Sequence, residues 1–231
     1  SVAAPPVPPN STASLSVSIP LGEVATWSPE QPALFEAKLS LGEGRQPELA
    51  TFGVRTFSFD ASTGLHVNGV PTKLRGGCVH HDNGPLGSRA IGRAEERRVE
   101  LLKASGYNAI RTSHNPVSRA FVSACERLGV ILMEEAFDTW SWGKNADDYH
   151  LYFDAWWERD MESMVLRDRN SPAILLWSIG NEIPMRHTPQ GAALSQKLAD
   201  KVRALDPAPA ASTRAVTSAY PMPSADAATD A

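Results

Sequence analysis

The chain has 231 residues, 42% of them hydrophobic and 7% aromatic, which allows a sizeable core and excludes an intrinsically disordered chain. The formal net charge is −4 and the lysines and arginines do not cluster, so the sequence predicts no nucleic-acid partner. No apolar run approaches the roughly 18 residues that a membrane-spanning helix requires, so no membrane partner is predicted either.

The first 66 residues are predicted to be extended and then all-β. Residues 1–12 are rich in proline, serine and alanine, which favours an extended segment. Residues 13–66 carry apolar alternations that predict short strands around 15–19, 35–39 and 54–59. So few strands cannot close a sandwich, and we interpret this region as a partial β-sandwich whose earlier strands lie elsewhere.

From residue 67 onward, predicted strands alternate with predicted helices. The segment 67–70 predicts a hairpin, because Asn68-Gly69 accepts the positive φ angles of a type I′ turn. In the second helix, Asn115 is expected at the N-cap, Pro116 at the first position and Gly129 at the stop. Strands are predicted near 73–79, 108–112, 130–133, 173–179 and 214–218, and helices near 93–105, 116–128, 150–168 and 190–204. This alternation indicates an α/β fold with a parallel sheet.

Polar residues at the end of each predicted strand favour a barrel over an open sheet. An open sheet that binds a nucleotide is expected to show a glycine-rich phosphate loop after its first strand, and none fits here. In a (β/α)8 TIM barrel the C-terminal strand ends converge on one face, where the active site is built. The sequence therefore predicts about five strands from the N-terminal half of a barrel, with polar strand ends at His80, His81 and Asp82, at Arg111, Ser113 and His114, at Glu134 and Glu135, and at Asn181 and Glu182.

Glu182 is the principal candidate for acid/base chemistry at that face. It follows a near-continuous apolar strand, so its side chain is expected to project from the barrel mouth. A glycosidase needs a carboxylic acid there to protonate the glycosidic oxygen. Asn181 is expected to hydrogen-bond the sugar 2-hydroxyl. From spacing alone, a salt-bridge role for a glutamate at a strand end remains open.

Several segments, in the same order along the chain, resemble glycoside hydrolase family 2, which includes β-galactosidases, β-glucuronidases and β-mannosidases. The segments NAIRTSHNP (108–116) and RDRNSPAILLWSIGNE (167–182) resemble its two signatures. The segments 27–30 and 52–55 resemble the end of its immunoglobulin-like sandwich. The resemblance implies an immunoglobulin-like partial sandwich over 13–66 and a partial catalytic barrel over 67–231, truncated at its C-terminus.

The resemblance also implies a retaining β-glycoside hydrolase that removes terminal non-reducing β-linked sugars. It assigns Glu182 as general acid/base and implies that the nucleophile glutamate, on the seventh barrel strand, is missing from this chain. The expected partner is a carbohydrate substrate, in a full-length parent that is expected to be a monomer or a homo-oligomer. The residues assigned to substrate binding are Asn181, His80, His114, Asp138, Glu135 and Arg111.

Structural roles stay open for some of these residues. For His80 and His114, a structural role in the protein interior remains an alternative. Arg111 is expected to hold the carboxylates at the strand ends more than to contact the sugar. The metal-binding galactosidases carry Glu-x-His where this chain has Thr139, Trp140 and Ser141. No metal and no cofactor are therefore predicted.

Other functions remain as alternatives. The segments 80–82 and 135–138 look most like β-galactosidase-type members, with β-glucuronidase and β-mannosidase as alternatives. A metal-dependent barrel hydrolase built on His80, His81, His114 and Glu135 is disfavoured, because adjacent strand residues face opposite ways. A non-catalytic carbohydrate-binding fragment is the alternative from another class. The cellular location stays open.

Overall fold

The computed structural model describes residues 6–40, 42, 45–207 and 214–220. Among these residues the strands and helices of the barrel follow the predicted order, and no helix is long and apolar enough to cross a membrane. The elements are β1 (Phe35–Leu39), β2 (Glu48–Phe52), β3 (Phe57–Asp60), β4 (Gly64–Val67), β5 (Val70–Pro71), β6 (Gly76–His80), α1 (Gly92–Ala104), β7 (Ala109–Ser113), α2 (Arg119–Leu128), β8 (Ile131–Glu135), α3 (His150–Asp168), β9 (Ile174–Asn181), α4 (Pro189–Leu205) and β10 (Ala215–Ala219).

Five parallel strands form the main sheet, in the order β10-β9-β8-β7-β6. This spatial order follows the chain without the reversal that defines an open, doubly wound sheet. Strand β9 is buried at seven of its eight positions, as expected for a parallel strand covered on both faces. The sheet therefore has the topology of a partial (β/α)8 barrel, which confirms the predicted fold class.

The start of helix α2 differs from the prediction. Asn115 is not the N-cap; Ser118 takes that place, and its hydroxyl accepts a hydrogen bond from the Phe121 N–H at 3.2 Å. The carbonyl of Val117 instead accepts a hydrogen bond from Arg167 at 2.7 Å, so this turn of chain bonds to another element before the helix begins. The predicted stop is correct, because Gly129 follows the helix with φ 69°.

The region before the barrel forms two small antiparallel sheets, β1-β2 and β3-β4-β5. The predicted Asn68-Gly69 turn is confirmed, with φ angles of 52° and 78° between paired strands β4 and β5. The strand predicted at 15–19 is wrong. Its apolar side chains at Leu15, Val17 and Ile19 are exposed, and no strand or core within the described residues covers them. The division at residue 66 and the sandwich assignment stay predictions.

Two residues attach this N-terminal region to the barrel. The indole of Trp27 is fully buried and donates to the Glu126 carbonyl at 2.8 Å. Arg55 donates to the carbonyls of Pro172 and Ile174 at 3.1 and 2.9 Å, just ahead of and within strand β9. Strand β3 begins at Phe57 rather than near residue 54, because the Val54 carbonyl accepts from the Trp27 N–H at 2.8 Å and the Thr56 N–H donates to Asn68 Oδ1 at 2.9 Å.

Candidate active site

Three neighbouring strands bring Arg111, Glu135 and Asn181 together near the C-terminal edge of the sheet. Arg111 lies in the middle of β7 and donates to the Glu135 carboxylate at the end of β8 through Nε at 3.0 Å and Nη2 at 2.8 Å. The same Nη2 donates to Asn181 Oδ1, at the end of β9, at 2.7 Å. In the parallel ladders Arg111 pairs with Met133 and Glu135 pairs with Ser178, and the long Arg111 side chain reaches toward the C-terminal strand ends, where the sequence predicted the barrel mouth.

Glu135 is the buried anchor of the site. Its side chain is fully buried and also accepts a hydrogen bond from Ser178 Oγ at 2.6 Å, while His114 Nδ1 lies 2.7 Å from its other oxygen. A buried carboxylate is tolerated only when it is paired and fully hydrogen-bonded, and Arg111 supplies the opposite charge. Burial lowers the pKa of Arg111, but its bonds to Glu135 outweigh this and raise it, so the guanidinium stays charged.

His80 and His114 share one face of the site. Their rings meet edge to face, with centroids 5.0 Å apart and an interplanar angle of 87°. His80 is exposed and His114 is partly exposed, so both imidazoles are available to a ligand. His81 is different, because its Nδ1 is buried without a partner among the described residues. Within that part of the chain, no group of three or more His, Cys, Asp or Glu side chains has the arrangement of a metal site.

Glu182 follows the last residue of β9 and is exposed. Its φ angle is 47°, a left-handed conformation that costs a non-glycine residue about 1–3 kcal/mol and is common at functional sites. The main-chain N–H of Glu182 donates to the Ala219 carbonyl of β10 at 2.8 Å. Asn181 is 4% exposed, and its side chain bonds to Arg111 of β7 and to Asp138 in the loop after β8. A buried amide therefore precedes an exposed carboxyl at the barrel mouth.

Asp138 and Lys144 come from the loop after β8. Asp138 Oδ1 accepts hydrogen bonds from Lys144 Nζ at 2.6 Å and from Asn181 Nδ2 at 2.8 Å. Burial raises the pKa of Asp138, but these two hydrogen bonds outweigh it and lower the pKa, so the carboxyl is ionised near neutral pH. Lys144 Nζ also donates to the main-chain carbonyl of Asn181 at 2.7 Å. Sequence reasoning identified Asp138 and missed Lys144.

The loop that carries Lys144 is shaped by Asp148. Its carboxylate accepts from the N–H groups of Lys144 and Asn145 at 2.7 and 2.8 Å and from that of His150 at 3.0 Å. An aspartate just ahead of a helix was the only signal in the sequence that this loop turns back on itself. Beside it, a cavity of about 500 Å³ opens next to His114 and Asp138, with an apolar lining of Pro116, Phe137, Tyr149 and Met164.

Comparison with known proteins identifies the family. The model of the glycosyl hydrolases family 2 TIM barrel domain matches residues 61–219, a range that contains every strand end described above. The chain therefore belongs to glycosyl hydrolase family 2. This agrees with the resemblance that the two sequence signatures carry.

Relatives in this family are longer proteins. The chain is 50% identical over 131 residues to a β-galactosidase of Bacteroides ovatus, which covers 57% of this chain and 15% of that protein. It is 36% identical over 187 residues to a putative β-glucuronidase of Formosa agariphila, covering 79% and 18%. A crystal structure of a family 2 member from Bacteroides cellulosilyticus is similar with TM-score 0.82 and 43% identity, covering 90% of this chain and 26% of that one. The chain thus spans about a sixth of these curated relatives.

Proposed function

We propose that the protein to which this chain belongs is a retaining β-glycoside hydrolase, with Glu182 as its general acid/base. The observation that carries the proposal is an exposed carboxyl directly after a buried, hydrogen-bonded amide at the mouth of a barrel. Two imidazoles, of His80 and His114, lie at neighbouring strand ends. Membership of glycosyl hydrolase family 2 supports this chemistry.

In the proposed reaction, Glu182 gives its proton to the glycosidic oxygen while the bond from that oxygen to the anomeric carbon breaks. A second carboxylate attacks the anomeric carbon from the opposite face and forms a covalent glycosyl–enzyme intermediate. Glu182 then removes a proton from water, and that water releases the sugar with retained configuration.

We assign Asn181, His80 and His114 to binding of the sugar hydroxyls. Asn181 Oδ1 is used by Arg111, which fixes the amide so that Nδ2 faces Asp138. Nδ2 has a second hydrogen available for the sugar 2-hydroxyl, a bond that strengthens as positive charge develops on the sugar. Arg111 and Glu135 are proposed to position these groups, since each is occupied by the other.

The nucleophile is proposed to lie outside these 231 residues. Among the described residues, the carboxylates around the site are already engaged. Glu135 is fully buried and bonded to Arg111 and Ser178, and Asp138 is bonded to Lys144 and Asn181. Glu134 is fully buried as well. A nucleophile must be free to approach the anomeric carbon, which supports a carboxylate from a later strand.

We propose a neutral, β-galactosidase-type sugar as the substrate. A β-glucuronidase needs a cation for the carboxylate of its sugar. The cations within the described part of the site, Arg111 and Lys144, are each paired with a carboxylate already. The identity to a β-galactosidase supports the same choice. Comparing turnover of nitrophenyl β-galactoside, β-glucuronide and β-mannoside tests it, and a preference for the glucuronide would reverse the assignment.

Replacement of Glu182 tests the acid/base role in a full-length polypeptide that contains this chain. For Glu182→Gln we expect kcat/KM on an alkyl β-galactoside to fall about 10²- to 10⁴-fold, the usual loss when a proton donor is removed. The dinitrophenolate of a dinitrophenyl galactoside leaves without protonation. On this substrate kcat/KM, which reports the first step, should therefore fall far less. Glu158→Gln, on the exposed face of α3, is the matched control. Activity of Glu182→Gln within twofold of wild type would contradict the proposal.

Measurements on the same full-length polypeptide distinguish a hydrolase from a protein that only binds sugar. Measurable affinity for galactose, with no turnover of any nitrophenyl β-glycoside by the wild-type polypeptide, would favour a non-catalytic carbohydrate-binding role. Turnover that depends on Glu182 would exclude that role.

A further inference from the structure

We infer that Lys144 is a positioning residue for the acid/base, because it holds the peptide bond that joins Asn181 to Glu182. The inference rests on the proposed role of Glu182 and adds a residue that neither the sequence motifs nor the family assignment points to. Lys144 lies in the loop after β8, far from Glu182 along the chain, and its ammonium reaches the main chain next to the carboxyl.

Both polar groups of this one peptide unit are bonded. Its carbonyl, from Asn181, accepts a hydrogen bond from Lys144 Nζ at 2.7 Å. Its N–H, from Glu182, donates to the Ala219 carbonyl at 2.8 Å. The peptide plane is therefore held from the β8 loop on one side and from β10 on the other.

The orientation of the Glu182 carboxyl depends on that plane. The side chain is exposed, so packing does not fix it, and its direction follows from the main chain. The φ angle of 47° describes rotation about the bond that directly follows the held peptide. A residue keeps such a sparsely populated conformation only when its surroundings enforce it. Lys144 and Ala219 supply that enforcement.

The lysine is itself held in place. Its ammonium also bonds Asp138 Oδ1 at 2.6 Å, and the same oxygen accepts from Asn181 Nδ2 at 2.8 Å. A closed ring of hydrogen bonds thus joins Lys144, Asp138 and Asn181, which takes part through both its main chain and its side chain. Charged donors make stronger hydrogen bonds than neutral ones, and Asp138 balances the charge, so a lysine suits this position better than a neutral side chain.

Dependence on the leaving group tests the inference in a full-length polypeptide containing this chain. A misplaced proton donor impairs substrates that need protonation, such as alkyl β-galactosides, and spares dinitrophenyl galactosides. For Lys144→Met we expect kcat/KM to fall about 10- to 100-fold on the alkyl galactoside, in line with the cost of a small misplacement. On the dinitrophenyl substrate the loss should stay within about threefold, because no proton is needed.

Lys144→Arg keeps a charged donor and should retain most of the activity on both substrates. Lys197→Met, which removes an exposed lysine whose ammonium lies 3.8 Å from Glu158, is the control and should change neither rate. Should Lys144→Met not fold, Asp148→Asn loosens the same loop while keeping the lysine, and the same leaving-group dependence is expected.

Two results would overturn the inference. Equal losses on both substrates would mean that Lys144 supports the site in general, and full activity on the alkyl galactoside would mean that it does not position the acid. The Glu182→Gln variant, measured beside them, keeps the two proposals apart. If Glu182→Gln shows leaving-group dependence and Lys144→Met does not, the acid/base assignment stands and only the role of Lys144 fails.

Discussion

At the scale of single residues, Glu134 carries an unusual charge environment one position before the site anchor Glu135. It is fully buried and faces the buried carboxyl of Asp168, with Arg167 Nη2 3.2 Å from one of its oxygens. Arg119 approaches Asp168 from the other side, at 3.6 Å. Burial and then the charge of Asp168 raise the pKa of Glu134 well above its usual value, against the opposing effect of Arg167.

This raised pKa makes stability depend on pH in a definite direction. The folded state holds the Glu134 proton at pH values where the unfolded chain, with a carboxyl pKa of about 4.3, has lost it. Stability from this group is therefore greatest below that value and falls as pH rises through the folded pKa. We expect Glu134→Gln, which keeps a donor toward Asp168 and cannot ionise, to raise the free energy of unfolding at pH 8 by on the order of 1 kcal/mol.

Urea unfolding of wild type and Glu134→Gln at pH 5 and pH 8 measures this effect. The free energy of unfolding of Glu134→Gln should exceed that of the wild type by more at pH 8 than at pH 5. Glu162→Gln, on the exposed part of α3, serves as a control for the loss of a glutamate charge. An equal difference at both pH values would show that Glu134 does not titrate between them.

The placement of single side chains could be predicted where the fold follows a simple rule. Glu135 and Asn181 end parallel strands, His114 follows one directly, and Arg111 reaches these ends from within β7; parallel strand ends meet at one edge of a sheet. Lys144 was missed because no such rule applies to a loop. Its position depends on the hydrogen bonds that the loop N–H groups donate to Asp148, which cannot be inferred from spacing alone.

At the scale of elements, the end of helix α2 is a contact between the barrel and the N-terminal region. Gly129 has φ 69°, and its N–H closes the helix on the Cys125 carbonyl. A Cβ on Gly129 would lie 2.3 Å from the main-chain oxygen of Pro29. Lys103 binds the carbonyls of both residues at 2.8 and 2.9 Å, which fixes this approach. Only glycine fits both the conformation and the space.

Gly129→Ala is therefore expected to destabilise the fold by about 2–4 kcal/mol, the sum of a strained φ angle and a main-chain clash. Gly106→Ala is the matched control, because Gly106 also follows a helix, with φ 90°, and a Cβ there meets nothing within 4 Å. The free energy of unfolding of the control should fall only by the cost of the strained φ angle, about 1 kcal/mol. Equal shifts in thermal unfolding for the two variants would show that the contact with Pro29 is unimportant.

The errors at this scale have a common cause. Helix α2 starts at Arg119 rather than at Pro116 because a distant arginine, Arg167, takes the carbonyl of Val117. The alternation at 15–19 produced no strand because a strand needs a partner, and no neighbour pairs with it among the described residues. Local patterns report propensity, whereas tertiary contacts decide where an element begins and whether it forms.

At the scale of the whole molecule, the described sheet has two unpaired edges. Strand β6 pairs only with β7, and β10 pairs only with β9, within the residues that the structure describes. On β6, Gly76, Gly77 and Cys78 are exposed, which leaves a row of main-chain groups accessible to another chain. In a closed barrel these sides are covered by further strands. Open strand edges promote association between copies.

The isolated 231-residue chain is therefore expected to associate and to lack hydrolytic activity. Light scattering after gel filtration should show a mass that increases with concentration, because β6 offers its edge to other copies. Turnover of nitrophenyl β-galactoside should be absent, because the described carboxylates beside Glu182 are held in ion pairs or buried. Adding a polypeptide that supplies the remaining strands should restore both a defined mass and turnover. Activity of the isolated chain that disappears in Glu182→Gln would place the nucleophile within these 231 residues instead.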